Sequence, residues 1–339
     1  MFFIDKYRPE NIKDSFFHQD LFDLLLIMSK DEAIPHIIFY GPEGSGKRTM
    51  IKIFLEMLFD KNVHKTRDTI YKVTGSGNKK SDEPIKQSNY HIVIEPKNNN
   101  YDRYLIHDIV KEYAKRKSLG IFKTKRQFKS VLVNNLDNMS YYAQTSLRRT
   151  IERYDDKCRF IMWCKSLSKI IKPLQSRCIC LRVPAPSDID LFGYIFKISV
   201  KENINLTLDQ YYTIVKNAKG NIKIALWNLQ FLQYNYNIDT NYDISIINIV
   251  KLILEKKIDN ILIIRNILFS LMITNVNGIT ILRDIIDKIC IEPSLNDNLK
   301  QKIVKSCAEI NYQMIKGRRE IIQFDAFITS AIRFIYEDG

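Results

Sequence analysis

Gly41-Pro42-Glu43-Gly44-Ser45-Gly46-Lys47 follows the apolar run Ile37-Ile38-Phe39 and opens the apolar-periodic stretch Met50 to Phe59. Strand, glycine loop and helix in that order turn a GxxxxGK match into a phosphate-binding loop. The glycines let backbone N–H groups curl around phosphate oxygens, and Lys47 can reach the β and γ phosphates. The next residue should be Ser or Thr, whose hydroxyl ligates Mg²⁺. Here it is Arg48. Thr49 follows, but one step along a helix points about 100° away, which makes it a poor substitute.

The second half of such a site departs in the same direction. Ser130-Val131-Leu132-Val133 reads as a buried parallel strand that should end in acidic residues holding the metal and polarising the attacking water. It ends Asn134-Asn135-Leu136-Asp137. Asn is isosteric with Asp but uncharged, so it cannot act as a general base and is a weak partner for a hard divalent cation. Loss of a positioned base alone costs about 10²–10⁴ in rate. Three altered positions at matched places imply a site that grips nucleotide and has given up hydrolysis.

A length of 339 residues allows two or three domains, and 45% hydrophobic residues supply real cores. No apolar stretch approaches the ~18 residues that span a bilayer. The start, Met1-Phe2-Phe3-Ile4-Asp5-Lys6, is charged too soon for a secretory signal. The expectation is a soluble intracellular protein with no membrane partner. A net charge of +14 favours an anionic partner, most often nucleic acid. Between Lys111 and Lys129, Lys111, Lys115, Arg116, Lys117, Lys123, Lys125, Arg126 and Lys129 face one acid, Glu112. This stretch is assigned to phosphate-backbone contact, with Lys111, Lys115, Arg116 and Lys117 as DNA-binding candidates; a solvated face is the alternative. The six cysteines form no CxxC pair and fit reduced thiols better than zinc or disulfides, and the histidines lack metal-ligand spacing. His36 reads as a packed strand residue.

Apolar strands at 37–40, 90–94, 130–134 and 159–163 alternate with helical stretches at 21–28, 48–59, 103–116 and 140–154. That alternation predicts a parallel sheet covered on both faces, with ligands at the carboxyl ends of its strands. Gly75–Gln87 is polar, glycine-containing and charged and reads as a loop or short excursion. Val183-Pro184-Ala185-Pro186 marks the change to helices, and Tyr234–Asp243 reads as a linker. From Ile244 helical periodicity dominates, with several helices apolar on more than one face, as in a bundle or a surface shared between subunits. The expected fold is an α/β domain (1–165), a helical lid beginning with the Ser-Arg-Cys segment (166–233), a linker (234–243) and a helical domain (244–339).

Four further motifs complete the pattern: Asp5-Lys6-Tyr7-Arg8-Pro9, Gln144-Thr145-Ser146-Leu147-Arg148-Arg149-Thr150-Ile151-Glu152, Pro173-Leu174-Gln175-Ser176-Arg177-Cys178 and Gly220-Asn221-Ile222-Lys223-Ile224-Ala225. With the phosphate loop, their order resembles a small subunit of replication factor C, the clamp loader of eukaryotes and archaea, over essentially the whole chain. The resemblance implies an AAA+ domain, a lid and a collar that joins five subunits in a ring. Its partners would be the other loader subunits of a hetero-pentamer, a ring-shaped sliding clamp and primer-template DNA. Its cofactor would be ATP or ADP, with Mg²⁺ doubtful at this chain's own site. Arg177 matches the arginine that reaches a neighbour's γ-phosphate, a group worth about 10³–10⁵ in rate in arginine fingers generally.

By the same resemblance Tyr7, Arg8 and Pro9 lie near the adenine. The loop residues Gly41, Pro42, Glu43, Gly44, Ser45, Gly46, Lys47, Arg48 and Thr49 surround the phosphates. Lys223 stands where the lid usually supplies an arginine, and keeps the charge without the fork. Gln144 and Arg148 sit where the family couples DNA and nucleotide sites, or form an ordinary interface pair. Lys165 replaces the usual Asn at the strand end beside the γ-phosphate, a fourth departure. One small subunit of the family, called 3 in animals and 5 in budding yeast, pairs a degenerate nucleotide site with an intact Ser-Arg-Cys, and this chain is similar to it. The expected role is a non-catalytic or weakly catalytic loader subunit, in the nucleus or in the cytoplasmic factory of a large DNA virus. The rivals are a self-sufficient AAA+ ATPase acting on DNA and a nucleotide-free scaffold.

Overall fold

The computed structural model describes residues 1–339 apart from 32, 75–79, 97–101, 116–127, 235, 237–240, 275, 294, 318 and 338–339. The chain divides into two compact units, Met1–Tyr236 and Asn237–Gly339.

The first unit is built on a sheet of β1 (Ile37–Tyr40), β2 (Arg67–Thr74), β3 (Lys80–Gln87), β4 (His91–Ile94), β5 (Lys129–Val133), β6 (Cys158–Cys164) and β7 (Ile179–Arg182), in spatial order β2-β3-β4-β5-β6-β1-β7. From β4 to β7 the pairing is parallel. Strands buried on both faces need apolar residues at every position, and the runs IIFY, SVLV and FIMWC supply them. Alternate side chains feed two cores. Ile38, Val131, Val133, Phe160 and Met162 meet α4 (Asp102–Lys115) and α5 (Tyr141–Tyr154). Ile37, Phe39, Leu132, Ile161 and Trp163 meet α2 (Gln19–Lys30) and α3 (Lys47–Leu58). The short helices α1 (Phe3–Lys6) and α6 (Lys172–Gln175) precede α2 and β7 respectively.

Two elements differ from the sequence expectation. The second part of Gly75–Gln87 is not a loop: β3 spans Lys80–Gln87 and pairs antiparallel with β2. It pairs with β4 only at Lys86 and Gln87, so the rest of β3 tolerates Pro84 and many charges as an edge would. The sheet also runs past residue 165. Ile179–Arg182 pairs in parallel with β1, so the Ser-Arg-Cys segment leads into a strand and the helical part begins at Asp188.

The lid helices are α7 (Asp188–Lys201), α8 (Leu208–Ala218) and α9 (Ile222–Gln233), each with a side-chain cap. Ser187 accepts from the Asp190 N–H, Thr207 and Gln210 form a capping box, and Asn221 accepts from the N–H groups of Lys223 and Ile224. The second unit holds α10 (Asn241–Leu254), α11 (Asn260–Ile273), α12 (Gly278–Ile291), α13 (Asp297–Lys316) and α14 (Glu320–Glu337) around Ile249, Ile253, Ile264, Ile285, Phe324 and Phe327. Its first helix begins at Asn241, inside the stretch read as linker. Ile258, Leu262, Ile273 and Ile291 remain on its surface. Among the described residues no helix is long and apolar enough to cross a membrane.

His91 is buried at the start of β4, and burial first, then the nearby His64, pushes its pKa from 6.5 down to about 4. The folded state holds it neutral. Its contribution is therefore complete above pH 6.5 and is lost as pH falls toward 4, by about 3 kcal/mol at the lower end. Thermal melts across this window should fall more steeply for the native chain than for His91→Phe; parallel curves would show that His91 does not titrate on unfolding.

Candidate functional site

Register places the candidate residues. Tyr40 of β1 pairs with Cys164 of β6, and Ile94 of β4 with Val133 of β5. The residues that follow these strands, Gly41, Lys165, Glu95 and Asn134, thus gather at the carboxyl edge of the sheet, where a parallel α/β sheet binds ligands. Gly41, Gly44 and Gly46 hold φ of 154°, 76° and 93°, which lets the loop turn tightly into α3. Gly44 also permits close approach: a Cβ there would sit 1.9 Å from Asn221 Oδ1 of the lid, and its carbonyl accepts from the Ile222 N–H.

Lys47 is 5% exposed and donates to the carbonyls of Gly41, at 2.7 Å, and Pro42. Burial lowers its pKa, with Cys164, Glu43 and Asp137 opposing. The cavity beyond it, of about 530 Å³, is lined by Arg8, Lys47, Arg48, Lys52, Lys165, Lys169 and Lys223 against two carboxylates, Glu43 and Asp137. Lys165 donates to Glu43 at 2.8 Å, which holds that carboxyl below its usual range. Burial, then the charges of Arg8 and Arg48, lowers the pKa of Lys52. Seven cations against two carboxylates give the cavity a positive field that attracts anions.

Arg48, Asn134 and Asn135 stand where the metal and the base would be held. Asn135, at φ 48°, faces the cavity. Asn134 is buried and committed on both sides: Oδ1 accepts from the Trp163 indole N–H at 2.9 Å, and Nδ2 donates to Glu95 Oε1 at 2.7 Å. Arg48 Nη2 lies 3.6 Å from the same Glu95 oxygen. Thr49 lines the cavity as well. Asp137 accepts from the Lys165 backbone N–H through Oδ2, and its Oδ1 is buried without a partner. Among the described residues no three His, Cys, Asp or Glu side chains cluster as metal ligands. Arg48 and Asn134 offer a guanidinium and a neutral amide where a hydroxyl and a carboxylate would hold Mg²⁺.

A second, smaller cavity of about 100 Å³ adjoins the loop. Tyr7, Arg8 and Pro9 line it with Phe16, Phe17, His18, Ser45, Tyr194 and Leu226, apolar walls with few polar groups, as a flat heterocycle needs. Tyr7 donates to Glu202, which also receives Lys6, and the Tyr194 hydroxyl donates to the Tyr7 carbonyl at 3.2 Å. His18 donates from Nε2 to the Ser45 carbonyl at 3.1 Å and is held toward neutrality by burial. His18, Glu95 and Glu202 escaped sequence reading because their partners are remote in the chain.

Arg177 is elsewhere. It precedes β7, whose first residue, Ile179, pairs with Ile37 at the start of β1. It therefore lies at the amino edge of the sheet, opposite the loop. There Nη2 lies 2.6 Å from Glu152 and Nη1 donates to the Pro173 carbonyl at 2.6 Å. It lines a surface cleft with His36, Glu152, Asp155 and Arg159. His36 is a packed residue at the strand entrance, its Nδ1 accepting from the Phe160 N–H at 3.1 Å. Gln144 is buried and bonds Met139, Lys169 and Ile171, tying the cationic cavity to the segment that leads to Arg177. Arg148 lies 3.8 Å from Glu152. Lys111 sits half-buried on α4, whereas the side chain of Lys115 and all of Arg116 and Lys117 lie outside the described residues.

A P-loop at the carboxyl edge of a five-strand parallel array, closed by a three-helix lid, defines a nucleotide-binding unit of the AAA+ class. Residues 18–187 match the family model for the DNA polymerase III delta subunit. A replication factor C small subunit of Acanthamoeba polyphaga mimivirus is 38% identical over 98% of this chain and 91% of its own length. Replication factor C subunit 5 of Saccharomyces cerevisiae is 28% identical over 97% of this chain and 98% of its own. Subunit 3 of Homo sapiens is 28% identical over 99% and 97%. The chain belongs to the replication factor C small-subunit family.

The contact between loop and lid yields a ranked prediction. Gly44→Ala adds strain at φ 76° and displaces the Asn221 cap, together costing about 2–3 kcal/mol. Gly46→Ala has no neighbour within 4 Å of the new Cβ and carries only the strain at φ 93°. Thermal denaturation should place Gly44→Ala clearly below Gly46→Ala; equal melting points would mean that the lid does not rest on the loop.

Proposed function

We propose that this chain is a nucleotide-binding, non-hydrolysing or barely hydrolysing subunit of a replication factor C-like clamp loader. It holds ATP or ADP as a structural ligand and lends Arg177 to a neighbour's ATPase site. The observation that carries this reading is the split between the two edges of the sheet. The carboxyl edge keeps the glycines, Lys47 and a cationic cavity but has Arg48, Asn134 and Asn135 where the metal and base belong. The amino edge carries an arginine that cannot reach its own loop. A guanidinium so placed can act only on a nucleotide brought to it by another subunit, where its planar fork would spread over two phosphate oxygens.

Within that loader the partners would be the other subunits of a hetero-pentamer, the sliding clamp and primer-template DNA. The exposed apolar residues of the second unit suit subunit contacts, and the basic run 111–129 suits the DNA backbone. The site would lie in the nucleus, or in the cytoplasmic factory if the gene is viral. A self-sufficient ATPase is disfavoured by the two amides at the end of β5. A nucleotide-free scaffold is disfavoured by the intact loop.

In the assembled loader, Arg177→Ala should leave assembly and this chain's own nucleotide binding intact. It should lower the DNA- and clamp-stimulated ATPase by about tenfold or more at the affected site. Arg177→Lys should rescue poorly, because an ammonium cannot present the fork. Lys47→Ala in this chain should barely change hydrolysis by the complex. Indistinguishable ATPase rates for Arg177→Ala and the native loader would reduce Arg177 to a structural residue.

A further inference from the structure

In most phosphate-loop sites a divalent cation neutralises the β and γ oxygens and is held by the hydroxyl after the loop lysine and by a strand-end carboxylate. Neither group is present, and their replacements are joined. Asn134 lacks the charge that a hard cation needs, and its carbonyl is aimed at the indole N–H of Trp163 at 2.9 Å. Its amide nitrogen anchors Glu95 at 2.7 Å, and Glu95 draws the Arg48 guanidinium to within 3.6 Å at the mouth of the cavity. Trp163, Asn134, Glu95 and Arg48 thus form one chain of contacts whose outer end is a permanent cation beside the phosphate cavity. We propose that Arg48 takes the place of the metal, so that nucleotide binds as the free polyphosphate anion and its affinity does not depend on a divalent cation.

This deepens the reading of the cavity as a nucleotide site and rests on it. Three features support it. Arg48 is fixed at the first turn of α3, directly after Lys47, so it stands next to the loop N–H groups that grip the phosphates. The guanidinium is planar and always charged, and can present two donors to two phosphate oxygens. Lys52 and Lys165 line the same cavity and leave little charge for a metal to neutralise. The network also makes the substitution self-consistent. A carboxylate at 134 would place a second anion against Glu95, whereas the amide donates to it.

The test is equilibrium binding of ATP to the purified chain by calorimetry, in excess EDTA and in excess Mg²⁺. The native chain should give dissociation constants within about threefold of each other. Arg48→Ser should weaken binding in EDTA by about tenfold or more, and Arg48→Lys, which keeps the charge without the fork, by less. The double variant Arg48→Ser, Asn134→Asp should bind at least about tenfold more tightly with Mg²⁺ than without. Arg48 is on the surface, so circular dichroism should confirm a native fold for each. A native chain that loses tenfold or more in EDTA overturns the proposal and leaves the nucleotide site standing. Absence of binding in both buffers overturns the site itself.

Discussion

Parallel pairing of β1 with both β6 and β7 decides which groups of this chain can meet. Because all three strands run the same way, whatever follows β1 and β6 emerges at one edge and whatever precedes β7 is left at the other. The phosphate loop, Asn134, Glu95 and Lys165 are therefore neighbours, while Arg177 stands the length of the sheet away. No side-chain rotamer bridges that gap. Strand direction thus sets the phosphate loop and Arg177 at opposite edges before any detail of either place is considered.

The loop is shaped by the lid as much as by the sheet. Asn221 caps α9, and Gly44 lets that cap come within contact of the loop backbone. The N-terminus of α9 brings Lys223 to the cavity while leaving Lys47 to bond the loop's own carbonyls. A phosphate entering here would offer Lys47 a stronger acceptor than the carbonyls of Gly41 and Pro42, because a full negative charge attracts the ammonium where a carbonyl offers only a dipole. The cationic lining thus carries a cost of mutual repulsion that an anionic ligand relieves, and ligand binding should stiffen the contact between loop and lid.

Much of this was legible in the sequence. The loop is contiguous, its flanking strands are apolar throughout, and Arg48, Asn134 and Asn135 depart from expectation at fixed offsets from motifs that can be found by eye. The β2–β3 hairpin was not legible, because its outer strands carry Lys, Asp, Glu and Pro84 where an interior strand would carry valine or isoleucine. Glu95 was invisible for another reason. Its meaning depends on Asn134, 39 residues away, and on Arg48 across the loop. The Arg177–Glu152 contact is equally non-local, so the sequence pointed to an arginine for export without indicating that the chain holds it against its own helix meanwhile.

The central claim is that the altered carboxyl edge binds nucleotide without splitting it. The most direct measurement follows the fate of γ-labelled ATP bound to the pure chain over many hours, with Lys47→Ala as the control for binding. Label recovered as intact ATP, with release of phosphate no faster than in solution, is the expected result. Conversion to ADP at a rate of order 1 s⁻¹ or more, lost in Lys47→Ala, would contradict it and restore the chain to the ordinary ATPases.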